Sequence, residues 1–130
     1  MNLADTRAYL LNKPEALEDF PFGPDVAVMK VGGKMFATLV QGPEHPRMNL
    51  KCDPHEAEIL RDLFSAVLPG YHMNKRHWNT VLLDGSIPRG EIERMIDNSY
   101  ALVVGKLPRA QRQALEIRHG RQQLYGTPQD

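Results

Sequence analysis

The sequence predicts a two-layer α+β domain, with one antiparallel sheet of five strands packed on helices in the order α-β-β-β-α-β-β-α-α. Three observations carry this reading. Gly32-Gly33 sits between two apolar runs, Val26 to Val31 and Lys34 to Val40, and paired glycines supply the positive φ angles of a tight two-residue hairpin, so these strands are antiparallel. Residues 47–52 alternate, with Met48, Leu50 and Cys52 on one side and Arg47, Asn49 and Lys51 on the other, the pattern of a strand with one buried face. The strands also fall in groups of three and two instead of alternating singly with helices, which argues against a parallel doubly wound sheet.

Taken in order, the first helix starts from Asn2, whose side chain can cap it, with Asp5 near the positive end of the dipole, and it stops before Pro14. Residues 14–25, rich in Pro and Phe, read as an irregular connection in which Phe20 and Phe22 plug the core. In the hairpin, pairing Val31 with Lys34 sets Met29 opposite Phe36 and Val28 opposite Ala37. One face then holds Val26, Val28, Ala37 and Leu39, and the other holds Met29, Phe36 and Thr38. Both are partly apolar, so the second is either covered by a partner or a moderately apolar surface.

Asp53-Pro54-His55-Glu56 supplies an N-cap, a first-turn proline and an acid three residues after the cap, and a helix follows with Ala57, Leu60, Leu63, Phe64 and Val67 as its buried stripe. Tyr71 to Asn74 and Trp78 to Leu83 read as the fourth and fifth strands. A further helix enters through Pro88, with Ile92, Met95, Ile96, Ser99, Leu102 and Val103 at helical spacing and Gly105 as its stop. Leu107-Pro108 restarts a short basic helix through Leu115. Residues 1–118 form one domain, and 119–130 form a tail with too few apolar residues to pack.

Composition narrows the function classes. The 130 residues are 42% hydrophobic, enough for one core without disulfides or a structural metal. No run approaches the about 18 apolar residues of a membrane span, and the N-terminus MNLADTRAYLL lacks the basic start and apolar block of a secretory leader. A lone Cys52 suits a reducing compartment, so a cytoplasmic protein is expected. Sixteen basic and sixteen acidic side chains give no net charge, so any nucleic-acid binding must come from a patch that the fold assembles.

Polar chemistry concentrates in Pro69 to Val81, PGYHMNKRHWNTV, where His72, Asn74, Lys75, Arg76, His77 and Trp78 crowd the connection between two extended segments. A cationic turn beside an aromatic ring suits phosphate and base contacts. The same residues also describe a solvated turn next to a core tryptophan. Lys30, Lys34 and Lys51 are the further candidates for a phosphate-binding patch. Catalytic readings lack a chemical basis, because there is no P-loop, no GxSxG elbow and no histidine pair at metal-binding helical spacing. His72, His77 and Asp84 are the one set that could be imagined as a metal or acid/base group; no catalytic residue, metal or cofactor is expected.

FGPDVAVMKVGGKMFA, MNLKCDP, PGYHMNKRHWNTVLLDGSIP and MIDNSYALVVGKLP, in this order, resemble the MmcQ/YjbR family of small bacterial proteins over roughly residues 3–118. The resemblance implies a fold similar to secretion-chaperone and frataxin-like (CyaY-like) α+β domains, and a family label of DNA-binding protein that names no contact residues. Frataxin-like iron handling would need an acidic ridge, and the first helix offers only Asp5, with Glu15, Glu18 and Asp19 beyond Pro14. The expectation is therefore a non-catalytic DNA-binding domain acting through a local basic patch, with a secretion-chaperone-like protein-interaction module as the alternative. Gathered lysines favour DNA; an open patch around Met29 and Phe36 favours a protein partner.

Overall fold

The computed structural model describes residues 1–126. Among them the chain forms α1 (Leu3–Leu11), β1 (Leu17–Asp19), β2 (Val26–Val31), β3 (Lys34–Gln41), β4 (Pro46–Lys51), α2 (Pro54–Leu63), β5 (Val67–Pro69), β6 (Trp78–Leu82), α3 (Arg89–Gly105), α4 (Arg109–His119) and α5 (Arg121–Tyr125). The strands make one antiparallel sheet in the order β1-β2-β3-β4-β6-β5. The α+β class is as expected, but the sheet has six strands among the described residues and not five.

The additional strand is β1, which falls inside the supposed irregular connection. Its three residues carry two acids and no apolar alternation, so nothing local marks them as a strand. Pairing with Val28 to Lys30 creates it, and two ion pairs hold it: Arg7 of α1 to Glu18 at 2.6 Å, and Lys30 to Asp19 at 2.8 Å. Phe20 and Phe22 do not plug the core; both are exposed, Phe22 by 71%.

The hairpin turns at Gly32-Gly33, with φ of +58° and +80°. Val31 faces Lys34 and Lys30 faces Met35 as the sequence suggests, but Met29 then faces Ala37 and Val28 faces Thr38. Phe36 is the extra residue of a β-bulge, so it and Ala37, though consecutive, both enter the core. This reverses part of the expected face assignment. Met29 and Phe36 are fully buried under the helices, and Phe36 meets Tyr100 of α3 edge-on with ring centres 5.3 Å apart.

A hydroxyl completes the bulge. Ser99 of α3, fully buried, donates to the Phe36 carbonyl oxygen at 2.6 Å and accepts from the Lys51 N–H at 2.9 Å. It thus bridges β3 and β4 where their regular pairing stops at Ala37 and Leu50. Around it, Ile92, Met95, Ile96, Tyr100, Val103 and Val104 bury one side of α3 against the sheet.

The caps read from sequence are present. Asn2 Oδ1 accepts from the Asp5 N–H at 2.7 Å, and Asp53 Oδ2 accepts from the N–H groups of His55 and Glu56 at 3.2 and 3.3 Å. Cys52 is buried as its alternation suggested, and burial pushes its thiol up to about 11. The α2 stripe is shorter than expected. Ala57 and Leu60 are buried, but Leu63 is exposed, Phe64 ends the helix and Val67 belongs to β5. On α3, Leu102 is only half-buried.

The expected fourth strand is also displaced. It lies at Val67–Pro69, and Tyr71 to Asn74 form a turn instead, with His72 in the left-handed region at φ +59°. Within the supposed tail, residues 121–125 form α5, and Leu124 packs into the core at 1% exposure. The rest of that tail, residues 127–130, lies outside the described residues.

Candidate functional site

Helices share a core with one face of the sheet, so the chemistry available to a partner lies on the opposite face and at the sheet ends. On the opposite face, alternation on β2, β3, β4 and β6 directs Val26, Thr38, Val40, Arg47, Asn49 and Thr80 away from the core. Two loops rise beside them, one carrying Phe22 and the other Tyr71, His72 and Met73. Between the loops lies a cleft of about 450 Å³ floored by Val26, Thr38, Val40 and Asn49.

The 70–77 loop is tied down at several points. Gly70 donates its N–H to the Trp78 carbonyl at 2.9 Å, and a Cβ at Gly70 would come within 2.8 Å of the Trp78 Cβ, so only glycine lets the chain turn this closely. Thr80 Oγ1 accepts from the Tyr71 N–H at 2.8 Å and donates to Asn49 Oδ1 at 2.5 Å, while the Asn49 amide donates to the Tyr71 carbonyl at 3.4 Å. Arg61 of α2 donates to the carbonyl of Lys75 and to Asn79 Oδ1, the latter at 2.7 Å. Asn74 Oδ1 accepts from the Arg76 N–H at 3.0 Å and closes the following turn.

Tyr71 and His72 consequently pack together at the cleft rim, with ring centres 4.0 Å apart and ring planes tilted by 49°, and the Arg47 guanidinium sits 5.4 Å from the Tyr71 ring centre. Tyr71 is 57% exposed. Arg47 makes no ion pair among the described residues.

The nine residues singled out from sequence divide into four groups. Lys34 begins β3, Lys51 ends β4 and Lys75-Arg76 lie in the turn that leads into β6; with Ala37 opposite Leu50 and Lys51 opposite Trp78, all lie at the hairpin end of the sheet. Lys106 joins them: burial first, and then its charge, hold the Lys51 ammonium below its ordinary pKa. Asn74, exposed, His77, half-buried, and Trp78, buried, frame the turn. The His77 carbonyl accepts from the Cys52 N–H at 2.8 Å, and Trp78, 9% exposed, has no open stacking face. His72 belongs to the cleft, and Lys30 is engaged by Asp19. Glu58 lines the same shallow surface as Lys75 and Arg76, which moderates the local positive charge.

The cleft was missed by sequence reasoning. Arg47 and Asn49 were placed on the outward side of their strand, which is the available signal, but Phe22 was read as core and Tyr71 as strand. Met29 and Phe36 make no open patch: the helices cover their side of the hairpin, the bulge brings Ala37 and Leu39 to that same side, and the open apolar residues are Val26, Met35 and Val40. His72, His77 and Asp84 form no metal-holding group, and none of three or more His, Cys, Asp or Glu exists among the described residues. No helix among them is long and apolar enough to cross a membrane.

Fold and site together define a two-layer α+β domain with helices on one face of an antiparallel sheet and an apolar cleft on the other. The chain belongs to the YjbR family, whose model matches residues 11–102. It is 36% identical to the Escherichia coli K12 protein YjbR, described as uncharacterized, across 88% of this chain and 98% of that one. Among solved structures it is similar to the Deinococcus radiodurans protein DR2400, at 37% identity and a TM-score of 0.82 over 88% of this chain and 87% of that one. A Pseudomonas syringae protein aligns at 32% identity and a TM-score of 0.72, over 78% of this chain and 98% of its own.

Proposed function

We propose that this chain is a non-catalytic DNA-binding domain that meets the phosphate backbone with the hairpin end of its sheet. The observation that supports this is the distribution of unpaired cations. Arg7, Lys13, Lys30, Arg89, Arg94 and Arg118 are each held by an internal carboxylate. Lys34, Lys51, Lys75 and Arg76 make no ion pair among the described residues, and they share one sheet end. Internal pairing removes cations and acids alike, so the positive character of this end rests on where these four side chains fall, with Glu58 beside Lys75 and Arg76 moderating it.

With Trp78 buried, this surface offers phosphate contacts without base stacking, so binding is weak, sequence-tolerant and strongly salt-dependent. Changing both Lys75 and Arg76 to Glu should weaken binding to duplex DNA and reduce the log-log salt slope by about two units at most. Titration at several salt concentrations, with folding checked by circular dichroism, measures this. Wild-type protein without salt-dependent binding, or a folded double variant that binds as before, would overturn the reading. The exposed Phe22 and Tyr71 on either side of the cleft would then favour the protein-interaction alternative.

A further inference from the structure

We infer that the open-face cleft is a binding site for a small monocarboxylate with an apolar body, whose carboxylate pairs with Arg47. The volume, about 450 Å³, is that of a small-molecule site, since such sites occupy roughly 300–1,000 Å³. Val26, Met35, Val40 and Met73 give it an apolar interior, with Phe22 and Tyr71 as walls.

Its polar groups select among ligands. Asn49 and Thr80 are engaged with each other and with the Tyr71 backbone, so the floor has little left with which to read a ligand rich in hydrogen-bonding edges. No acidic side chain lines the cleft, and Arg47 lies at its border without an ion pair among the described residues. One unneutralised guanidinium over an apolar chamber is complementary to one carboxylate on an apolar body. The Thr38 hydroxyl and the His72 ring are the remaining polar contacts available.

Backbone geometry points to the same place. His72 holds a left-handed conformation at φ +59°, costly for a residue with a Cβ, and the result is that its ring lies against Tyr71 at the rim. The core is complete without that arrangement, because neither residue belongs to it.

The test is isothermal titration of the full chain with decanoate and phenylbutyrate, and with decanol as the uncharged match, combined with amide chemical-shift mapping. Saturable binding of at least one acid is expected, with shifts on Val26, Thr38, Val40 and residues 71–73. Arg47→Gln should weaken acid binding by about tenfold or more and leave decanol nearly unchanged. Val26→Trp, which fills the floor, should abolish binding of both classes. If neither acid saturates, if shifts map elsewhere, or if folded Arg47→Gln binds acid as tightly as wild type, the proposal fails. Should Arg47→Gln not fold, preference of the wild-type protein for decanoate over decanol decides, and equal affinity rejects the pairing. DNA binding is a separate measurement, so failure of either reading leaves the other standing.

Discussion

The helix-covered face of the sheet and its open face are drawn largely from alternating residues of the same strands, yet they are completed differently. On the covered side, Met29, Leu39, Met48, Leu50 and Val81 meet one continuous layer from α1, α2 and α3, and a single hydroxyl from Ser99 satisfies the backbone where pairing breaks. On the open side, Val26, Val40 and their neighbours meet two loops that stand apart, and space remains between them. A sheet face becomes core when an element of matching length lies across it. It becomes a site when only loop ends reach it.

The strongest way to break this contrast is to truncate one aromatic on each side. Phe36→Ala should lower stability by about 3–5 kcal/mol, whereas Tyr71→Ala should change it by about 0.5 kcal/mol or less. Urea unfolding of both variants measures the difference, and a large loss at Tyr71 would make the open face a second core. Ser99→Ala should be next, at about 2–4 kcal/mol, because it strands the Phe36 carbonyl and the Lys51 N–H away from water. Protection of the Lys51 amide from hydrogen exchange should fall with it.

The hairpin sharpens the comparison at finer scale. Gly33→Ala meets no atom and should cost about 1–2 kcal/mol through backbone strain alone. Gly32→Ala has the same strain and also places a Cβ 2.8 Å from the Leu107 side chain, so about 2–3 kcal/mol is expected in the same denaturation series. Equal losses would mean that Leu107 yields freely.

The smallest effect is at the periphery, where charges and not packing join the elements. The guanidinium of Arg118, with His119, holds the Glu15 carboxyl below its ordinary value, and Arg7 and Lys30 do the same for Glu18 and Asp19. Depressed carboxylates stabilise the fold fully above the unfolded carboxylate range, near pH 4, and lose that contribution as pH falls through the lower folded values. Melting temperature should therefore hold from pH 7 to about 5 and decline below about 4. Glu15→Gln should flatten the decline while costing less than about 1 kcal/mol at neutral pH, since the pair is exposed.

What could be read from the sequence was local chemistry. Gly32-Gly33 announces its turn because positive φ is a property of the residue, and Asn2 and Asp53 announce helix starts because a cap needs only its own next turn. The β-bulge at Phe36 was not legible, for it depends on Ser99, which arrives from α3 far along the chain. β1 is a strand only because β2 offers an edge and Arg7 and Lys30 offer charges. Leu124 is buried because α3 and α4 leave a place for it, although its own neighbourhood is polar. For the site, the cationic residues were visible as a group, but the cleft was hidden because its walls come from two loops far apart in the chain, and the one carrying Tyr71 is positioned by Gly70, Thr80 and Asn49.

The two rims of the sheet carry a consequence for how the chain behaves when crowded. β1 is three residues long, and its acids are pinned by Arg7 and Lys30; β5 is also three residues long and ends on Pro69, which has no N–H to donate. A second molecule approaching edge-on finds little free backbone to extend, and on one side it meets fixed charge. Strand-by-strand accretion into fibrils, the standing hazard of an open antiparallel sheet, is thereby discouraged at both borders.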